Sequence, residues 1–496
     1  MKNQLLKGTL ILTGAGIITR LIGFIYRIFL ADKLGEVNLG IYQLIFPIYS
    51  ICFTIYASGI QTAVSQMVSH DSKQKQQSIV KTAIILSLFF SISLSFLVFF
   101  LRDEIACHLL GTKKAGELLG ILACIFPFCG ITSIINGFFY GINKAKIPAI
   151  TQILEQIMRV IFVFFCCYIG SQKQKYIYFA VWGLVVGELC SNIYNLYQIK
   201  KIVSLREIYH SKLCFKRILH FSIPLSGTKL VIALLGSIES ILIPIVMKQY
   251  GYSSEMALGL YGILAGIVLP FILFPGTITN SLSVLLLPNI AKASGNNNHI
   301  QIRTTSSLSI RYSLLLGVLT CSLFLNYGYE FGNLIFHSEN AGKLLIAASF
   351  LCPFLYVTTT LGSIINGLGK TSVTFLFTMI GLVVRISCLL FIAPQFGIYG
   401  YLFGMLISQI LICFLHGMYL VINKKFSCNI SRYFLWPMIF SCSVMYLCKK
   451  AGIWISIETN MSMLYLVSVL PAMIFVLFYF LVFRLVSLKD FRFSKY

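Results

Sequence analysis

Long apolar runs alternate along the chain with short clusters of charged, proline or glycine residues. Breaking the chain at those clusters leaves fourteen apolar segments. A helix needs about 20 mostly apolar residues to cross the hydrocarbon core of a bilayer, and the segments are close to or above that length. The predicted spans cover 8–31, 38–69, 79–101, 116–141, 147–170, 176–199, 218–248, 257–291, 309–326, 342–368, 372–393, 397–423, 431–449 and 462–485. The pattern therefore predicts an all-α polytopic membrane protein.

One predicted span is too long for a single straight helix. It covers 257–291 and contains Pro270, Pro275 and Pro288. Proline removes a backbone donor and clashes with the preceding turn, so a proline inside a helix bends or ends it. We therefore expect this span to be kinked or broken.

The first twelve spans contain two halves with the same landmarks in the same order. The landmarks are SIING at 133–137 and 363–367, LGIY at 39–42 and LGLY at 258–261, and an arginine in the fifth and eleventh spans, Arg159 and Arg385. Because six spans is an even number, both halves begin on the same side of the membrane, and the repeat is parallel. We predict one six-helix lobe at 1–210, a second at 211–428, and two more helices with a short cytoplasmic tail at 429–496. Two such lobes facing a cleft are typical of an alternating-access transporter.

Composition supports the membrane class and excludes two others. The 496 residues are 58% hydrophobic and 11% charged, with a mean hydropathy of +0.87, and a soluble domain could not cover such a surface with polar groups. The net charge of +24 does not indicate nucleic-acid binding, because the basic residues separate apolar spans and do not cluster on a polar domain. The fifteen cysteines are an odd number without a CxxC pair, so we interpret them as small buried hydrophobic residues.

Lysine and arginine are distributed unequally between the two sides of the predicted membrane. With the N-terminus inside, and with residues in the last three positions at either end of a span counted with the adjoining segment, 24 of the 39 fall in inside segments, 10 in outside loops and 5 deeper within spans. Positive residues accumulate on the cytoplasmic side of membrane proteins. We therefore expect a multi-pass protein of the cell membrane with both termini in the cytoplasm.

The first span carries two arginines inside an apolar stretch. Its small and polar positions recur every three or four residues and share one helix face, which consists of Thr9, Thr13, Gly16, Arg20, Gly23 and Arg27. An arginine in hydrocarbon costs roughly 2.5 kcal/mol or more, so this face needs aqueous or protein surroundings. The seventh span has a matching face, with Glu239 beside it, made of Ser226, Lys229, Ala233, Gly236 and Ser240. Both faces are predicted to line the cleft between the lobes.

Ionisable residues within membrane spans are candidate functional residues. In this chain they are Arg20, Arg27, Glu155, Arg159, Glu188, Lys229, Glu239 and Arg385. Five cations against three acids favour a substrate that carries phosphate, since a guanidinium group presents two parallel donors to phosphate oxygens. Arg20 and Arg385 have no acid within one turn and lie deep in their spans, which makes them the strongest candidates.

Several of the other cations have a structural alternative. Glu155 and Arg159 are spaced i, i+4, which suits a salt bridge within one helix as well as a substrate contact. Arg27 is near the outer end of its span, and its long side chain could instead extend to the membrane interface. Lys229 lies about three turns from the inner end of its span. Extension of its side chain to the membrane interface and a role in the cavity are equally open for it.

Glu188 and Asn192, one turn apart in the sixth span, fit either a site for a coupling cation or a hydrogen bond to a neighbouring helix. Glu239 is a second candidate of this kind. No ATPase domain, paired carboxylates or Ser-His-Asp arrangement can be argued, and the seven histidines lack metal-ligand spacing. We therefore predict a transporter and not an enzyme, with no metal and no cofactor, and with Na⁺ or H⁺ as the candidate coupling ions.

The first span resembles the opening of the stage V sporulation protein B group, which belongs to the multidrug/oligosaccharidyl-lipid/polysaccharide exporter superfamily. The residues that carry the resemblance are Lys7 to Leu10, Thr19 to Phe24 (TRLIGF), Arg27, Gly35, Leu39 to Tyr42, and the Asn-Gly pairs at 136–137 and 366–367. The lipid II flippases of this superfamily have an arginine three residues after the glycine of Arg-x-x-Gly-Phe. This chain has Tyr26 there and Arg27 one residue later, as in the sporulation group. One residue turns a side chain by about 100° around a helix, so the two groups present this arginine differently.

The resemblance implies a flippase that moves a lipid-linked sugar precursor such as lipid II to the outer leaflet, and in the sporulation group a role in spore cortex peptidoglycan synthesis. In related flippases a cationic central cavity takes the diphosphate-sugar head, and a groove beside the last two spans takes the polyprenyl tail. Arg20 and Arg27 are then expected to face the diphosphate, with Arg159, Lys229 and Arg385 as further candidates. The expected partners are the lipid-linked glycan, the bilayer and cell-wall polymerases, without nucleic acid.

Two other functions stay open at this point. An ion-coupled multidrug exporter of the same fold should prefer an acidic cavity for organic cations, and the excess of cations within the spans argues against it. A non-transporting scaffold that recruits cell-wall enzymes would keep its function when cavity residues are changed and lose it when loops are deleted.

Overall fold

The computed structural model describes residues 2–170, 172–202, 211–296, 298–423, 431–458, 467–483 and 485. The helices are α1 (Lys2–Phe53), α2 (Gly59–His70), α3 (Lys73–Phe100), α4 (Arg102–Glu104), α5 (Lys114–Ala123), α6 (Phe126–Gly141), α7 (Lys146–Ile169), α8 (Tyr176–Lys200), α9 (Ser211–Gln249), α10 (Ser254–Ile263), α11 (Leu269–Leu273), α12 (Gly276–Gly295), α13 (His299–Phe336), α14 (Glu339–Ser349), α15 (Cys352–Gly367), α16 (Thr371–Phe391), α17 (Ala393–Ile422), α18 (Trp436–Glu458) and α19 (Val469–Val482). No strand occurs among the described residues. The all-α membrane class is confirmed.

Short π-helical and 3₁₀ segments join or interrupt these helices. They are the π segments Thr54–Ser58, Ile105–Leu109, Leu264–Val268 and Ser431–Leu435 and the 3₁₀ turn Lys173–Lys175. In the described part of the chain, ten helices are long and apolar enough to cross a membrane, or up to twelve if each of two bent pairs is one span. One of the ten, Ile11–Ser69, covers two predicted spans, and Val469–Val482 is apolar but has only 14 residues. The number fourteen therefore stays a prediction.

Glycine and proline set two of the breaks. Within α1, Gly35 has φ 72° and ψ 171°, a conformation that residues with a Cβ avoid, and it separates the first two predicted spans. In the predicted eighth span α11 ends at Leu273, and α12 begins at Gly276, directly after Pro275. The expected break in that span is confirmed.

The repeated motifs lie in similar elements. α5 and α6 form a pair bent by 44°, and α14 and α15 form a pair bent by 55°. Both α6 and α15 have 16 residues with a proline at the second position, and they contain 133–137 and 363–367 respectively. The motif asparagines also make similar bonds, because Asn195 Nδ2 donates to Asn136 Oδ1 (3.3 Å) and Thr374 Oγ1 donates to Asn366 Oδ1 (2.7 Å).

The chain divides into two compact units, Met1–Gly266 and Ile267–Tyr496. The core of the first unit contains Val64, Phe138 and Phe139 from α2 and α6. The second unit has one cluster around Ile364 and Ile365 and another in which Tyr327, Met445 and Val476 join α13, α18 and α19. The first unit also includes α9 and α10, and the lobes predicted at 1–210 and 211–428 stay predictions of topology.

Candidate functional site

The candidate site lies in the first unit, where α7 packs between α1 and α8. A Cβ on Gly187 of α8 would lie 2.6 Å from the carbonyl oxygen of Glu155, so only glycine permits this approach of α8 to α7. Between α1 and α7, the rings of Phe29 and Phe164 stack with centroids 3.9 Å apart. These contacts bring the end of the first predicted span beside the charged residues of α7.

Glu155 and Arg159 form an ion pair within α7. The Glu155 side chain is 28% exposed and that of Arg159 is 19% exposed, and Arg159 Nη1 also donates to Gln156 Oε1 at 3.4 Å. The i, i+4 spacing predicted this contact. The pair is therefore structural in part, and a role of Arg159 in substrate binding stays a prediction.

Tyr26 and Arg27 approach this pair from α1. Tyr26 is buried, and Arg27 is exposed. Both are close enough to Arg159 to interact with it electrostatically. Arg27 has no ion pair within the described residues, and its guanidinium group is close enough to that of Arg159 for the two positive charges to repel each other. An anion bound here would relieve their repulsion.

A buried acidic cluster continues from this pair into α8. Glu188 is only 5% exposed, and its Oε1 has no hydrogen-bond partner in the described part of the chain. It interacts electrostatically with Glu155 and Arg159. One turn later, Asn192 Nδ2 donates to a backbone carbonyl of α6 at 3.0 Å and to Thr132 Oγ1 at 3.3 Å. Arginines and acids thus form one continuous polar track, which we call the α7 track (Arg27, Arg159, Glu155, Glu188 and Asn192).

Arg20 is placed differently from the α7 track. Its side chain is exposed, and it has no hydrogen bond or ion pair among the described residues. Ile17 and Leu21 beside it are both 48% exposed, and a Cβ on Gly16 would meet no atom within 4 Å. Removal of the Arg20 side chain would therefore take away no visible contact in the first unit.

Lys229 and Glu239 lie on α9, also in the first unit. Lys229 Nζ donates to the carbonyl oxygen of Ser58 at 3.1 Å and to Thr62 Oγ1 at 3.0 Å, at the end of the π segment Thr54–Ser58. Glu239 is 3% exposed and interacts with Tyr261 of α10. Lys229 thus has a helix-to-helix contact, and its contact with a substrate stays a prediction.

Arg385 belongs to α16 in the second unit, where it is half-buried and makes a polar or electrostatic contact. The same unit contains an apolar cavity of about 370 Å³ between α18 and α19, lined by Phe440, Val444, Phe475 and Phe478. It lies between the helices of the last two predicted spans, and its role as a groove for a lipid tail stays a prediction. Within the described residues no group of three or more His, Cys, Asp or Glu side chains could hold a metal ion.

The sequence analysis assigned no role to four of the residues in this region. Tyr26, Thr132 and Gln156 contact or face the charged residues, and Tyr49 lies 3.4 Å from Cys129 Sγ beside them. Each is a polar residue in an apolar span, and this is the feature of the sequence that could have pointed to it. Such residues are common in spans, so the signal identifies a site only once the helices are packed together.

Comparison with known proteins identifies the family. Residues 5–294 match the family described as polysaccharide biosynthesis protein. Stage V sporulation protein B of Bacillus subtilis (strain 168) is 25% identical over 435 residues, which are 84% of this chain and 83% of that protein. Over 96% of this chain and 98% of the other, the structure resembles the lipid II flippase MurJ in its inward closed conformation, with a TM-score of 0.72 and 17% identity. It also resembles an outward-facing multidrug resistance MATE family transporter of the MOP superfamily, with a TM-score of 0.63, 14% identity and coverage of 84% and 95%.

These likenesses confirm the resemblance to the stage V sporulation protein B group, and the fold is that of the transporters in this superfamily. The family match covers more than half of the chain and includes α1, α7 and α8, which carry the α7 track. The chain is a multi-pass membrane protein that belongs to the polysaccharide biosynthesis protein family.

Proposed function

We propose that this chain is a flippase that moves a polyprenyl-diphosphate-linked glycan across the cytoplasmic membrane by alternating access. The observation that carries the proposal is the pair of guanidinium groups of Arg27 and Arg159 on adjacent helices. A diphosphate offers several anionic oxygens, and arginine binds such oxygens with two parallel hydrogen bonds. Binding the head group here would offset both the repulsion between the arginines and the cost of moving a diphosphate through a bilayer.

We propose a peptidoglycan precursor of the lipid II type as the substrate, in spore cortex or cell-wall synthesis. The name of the sporulation relative and that of the similar flippase structure support this choice. Arg20 would meet the same head group, with Lys229 and Arg385 as further candidates, and the cavity between α18 and α19 would take the polyprenyl tail. Both termini would lie in the cytoplasm, and cell-wall polymerases are proposed partners.

Glu188 is the proposed site for a coupling Na⁺ or H⁺. A buried carboxylate oxygen without a hydrogen-bond partner is costly unless a cation or a proton occupies it at some stage. Asn192 and Thr132 supply further oxygen atoms nearby, which are the ligands that hard cations prefer. Because Glu188 interacts with Arg159, occupation of this site would change the charge that the substrate head group meets.

The test is a flipping assay with the purified full-length protein in proteoliposomes. Lipid II is compared with a teichoic- or capsule-type intermediate, with and without gradients of Na⁺ and H⁺. We expect lipid II to be flipped by the wild type and by Lys113→Gln, which removes an exposed cation outside the track, and not by Arg27→Gln. If flipping by the wild type depends on a gradient of Na⁺ or H⁺ and flipping by Glu188→Gln does not, the result would support the coupling site.

Two outcomes would overturn the proposal. Flipping of lipid II by Arg27→Gln and Arg159→Gln at the wild-type rate would exclude the α7 track as the head-group site. Resistance to organic cations on expression, lost in Glu188→Gln and without any flipping of lipid-linked glycans, would instead identify an ion-coupled multidrug exporter.

A further inference from the structure

The last two described helices, α18 and α19, are joined to α13 by a polar cluster. Lys449 of α18 forms an ion pair with Glu330 of α13, with Nζ and Oε1 2.6 Å apart. Lys449 Nζ also donates to the carbonyl oxygen of Asn326 at 2.5 Å and lies 5.8 Å from the centre of the Tyr327 ring. The hydroxyl oxygen of Tyr327 lies 2.9 Å from the Oγ of Ser468, which directly precedes α19. The ion pair is therefore part of a contact that involves all three helices.

The pair of Glu330 and Lys449 is mostly buried and incompletely bonded. The side chain of Glu330 is 13% exposed and that of Lys449 is 22% exposed. Glu330 Oε2 is buried and has no hydrogen-bond partner among the described residues. The loss of hydration offsets most of the attraction within a buried ion pair, so an apolar pair of similar size is often at least as stable. The pair therefore matters more for which arrangement the helices adopt than for how stable that arrangement is.

The apolar part of this interface specifies the position of α18 along its axis less strictly. The apolar cluster between α13, α18 and α19 includes Leu315, Leu319, Met445, Ala472 and Val476. Contacts between such side chains have no preferred direction. Lys449 instead has its two acceptors on successive turns of α13, at 326 and 330, and its Nζ must reach both at once. The ion pair thus fixes the register of α18 on α13.

The register of α18 determines the lining of the apolar cavity between α18 and α19. Leu447 and Cys448 line that cavity and directly precede Lys449 in the chain. The hydroxyl of Tyr327 also donates to the carbonyl oxygen of Met445 at 3.5 Å, within the same stretch. A shift of α18 by one helical turn would move this stretch by about 5.4 Å and bring other side chains to the cavity.

We propose that Glu330 and Lys449 are positioning residues that hold α18 in the register at which the cavity accepts a polyprenyl chain. This inference rests on the proposed function, in which the cavity takes the lipid tail. In this role the pair acts through the residues of α18 that line the cavity.

The first test measures the register without any lipid. Glu330→Met/Lys449→Met replaces the ion pair by an apolar pair of similar length. Cys442 Sγ of α18 lies 3.2 Å from Ser322 Oγ of α13, so in Ser322→Cys oxidation by copper phenanthroline should join the two thiols in a disulfide. Mass spectrometry of the peptides from the full-length protein gives the yield. We expect this disulfide to be lost when the two methionine substitutions are added, while thermal unfolding stays at or above the wild-type temperature.

The second test measures the preference for chain length by native mass spectrometry. Lipid II with an undecaprenyl tail is compared with an analogue that has the same head group on a farnesyl tail. Losing the burial of two methylene groups, at about 0.8 kcal/mol each, weakens binding about 15-fold. We expect Glu330→Met/Lys449→Met to bind the undecaprenyl lipid at least about 15-fold more weakly and the farnesyl analogue as the wild type does. Glu339→Met/Lys343→Met removes an exposed ion pair within α14 and should change neither affinity.

An unchanged disulfide yield in Glu330→Met/Lys449→Met would overturn the proposal, whichever lipid the protein binds. So would an equal loss of affinity for both lipids together with a lower unfolding temperature, because the pair would then support the fold and not the register. A lost disulfide with an unchanged preference for the long chain would exclude the cavity as the place of the tail. If the wild type binds neither lipid and the disulfide is still lost in the variant, the result supports the positioning of α18 and contradicts the proposed substrate.

Discussion

Glu155→Gln and Arg159→Gln break the same ion pair from opposite sides and distinguish its structural role from its functional role. Both side chains are mostly buried. Glu155→Gln keeps the size of its side chain, whereas Arg159→Gln shortens it by two heavy atoms. Opposite charges about 4 Å apart interact by about 4 kcal/mol at an effective dielectric constant of about 20. Leaving one partner buried and unpaired typically costs about 3–5 kcal/mol. We expect both variants to lose a similar amount of stability against unfolding.

The two variants differ in the charge that they leave behind. In Glu155→Gln, the head group binds Arg27 and Arg159 without competition from the Glu155 carboxylate. Arg159→Gln removes one guanidinium group and leaves Glu155 close to Glu188. A hydrogen bond to a charged group is worth about 1.5–3 kcal/mol, which is about 10- to 150-fold in affinity. Lipid II binding should weaken by this factor in Arg159→Gln, while Glu155→Gln should bind at least as tightly as the wild type.

The measurements are thermal unfolding in detergent, which reports stability, and lipid II affinity and flipping rate in proteoliposomes. A lysine at the same place, Arg159→Lys, keeps the charge but loses the parallel donors, and should fall between wild type and Arg159→Gln. Equal loss of affinity in Arg159→Gln and Glu155→Gln would refute the reasoning, because the pair would then support the site only by holding α7 in place.

The remaining predictions concern three separate positions in the first unit. Arg20→Ala should abolish flipping while the free energy of unfolding stays within about 0.5 kcal/mol of the wild-type value, since the side chain has no described partner. The flipping assay and thermal unfolding check this. Gly187→Ala should destabilise the protein by about 1–3 kcal/mol, because its Cβ would meet the carbonyl oxygen of Glu155 at 2.6 Å; thermal unfolding measures the loss. Lys229→Met should cost about 1–3 kcal/mol by leaving the carbonyl of Ser58 without its charged donor, and hydrogen exchange in 54–70 should increase.

Matched controls separate these effects from general damage. Gly16→Ala adds the same methyl group where nothing lies within 4 Å, so it should not lower stability as Gly187→Ala does. Lys113→Gln removes an exposed cation as Arg20→Ala does, but outside the predicted spans, and should leave flipping intact. Flipping by purified Arg20→Ala at the wild-type rate would contradict the role assigned to that residue.

Local patterns were sufficient for the features that neighbouring residues determine. The i, i+4 spacing of Glu155 and Arg159 predicted their contact, and Pro275 predicted the break before α12. The length and composition of the apolar runs predicted the membrane class. Each of these depends on the geometry of one helix, which the order of residues specifies directly.

Contacts between distant segments could not be read in the same way. Lys229 lies 167 residues from Thr62, and Asn192 lies 60 residues from Thr132. Nothing in the local spacing pairs them, because their distance depends on how complete helices pack. The burial of Tyr26 next to exposed Arg27 likewise follows from which face of α1 meets its neighbours.

The π segment Thr54–Ser58 has a consequence for how this chain can vary. A π turn holds one residue more than the α turn it replaces. Deleting one residue there would restore the α turn and leave the facing direction of 59–70 largely unchanged, so Thr62 would still face Lys229. The same deletion in the α-helical part that precedes the segment would turn everything after it by about 100°. Related sequences should therefore differ in length by one residue within Thr54–Ser58 more readily than in the α-helix beside it.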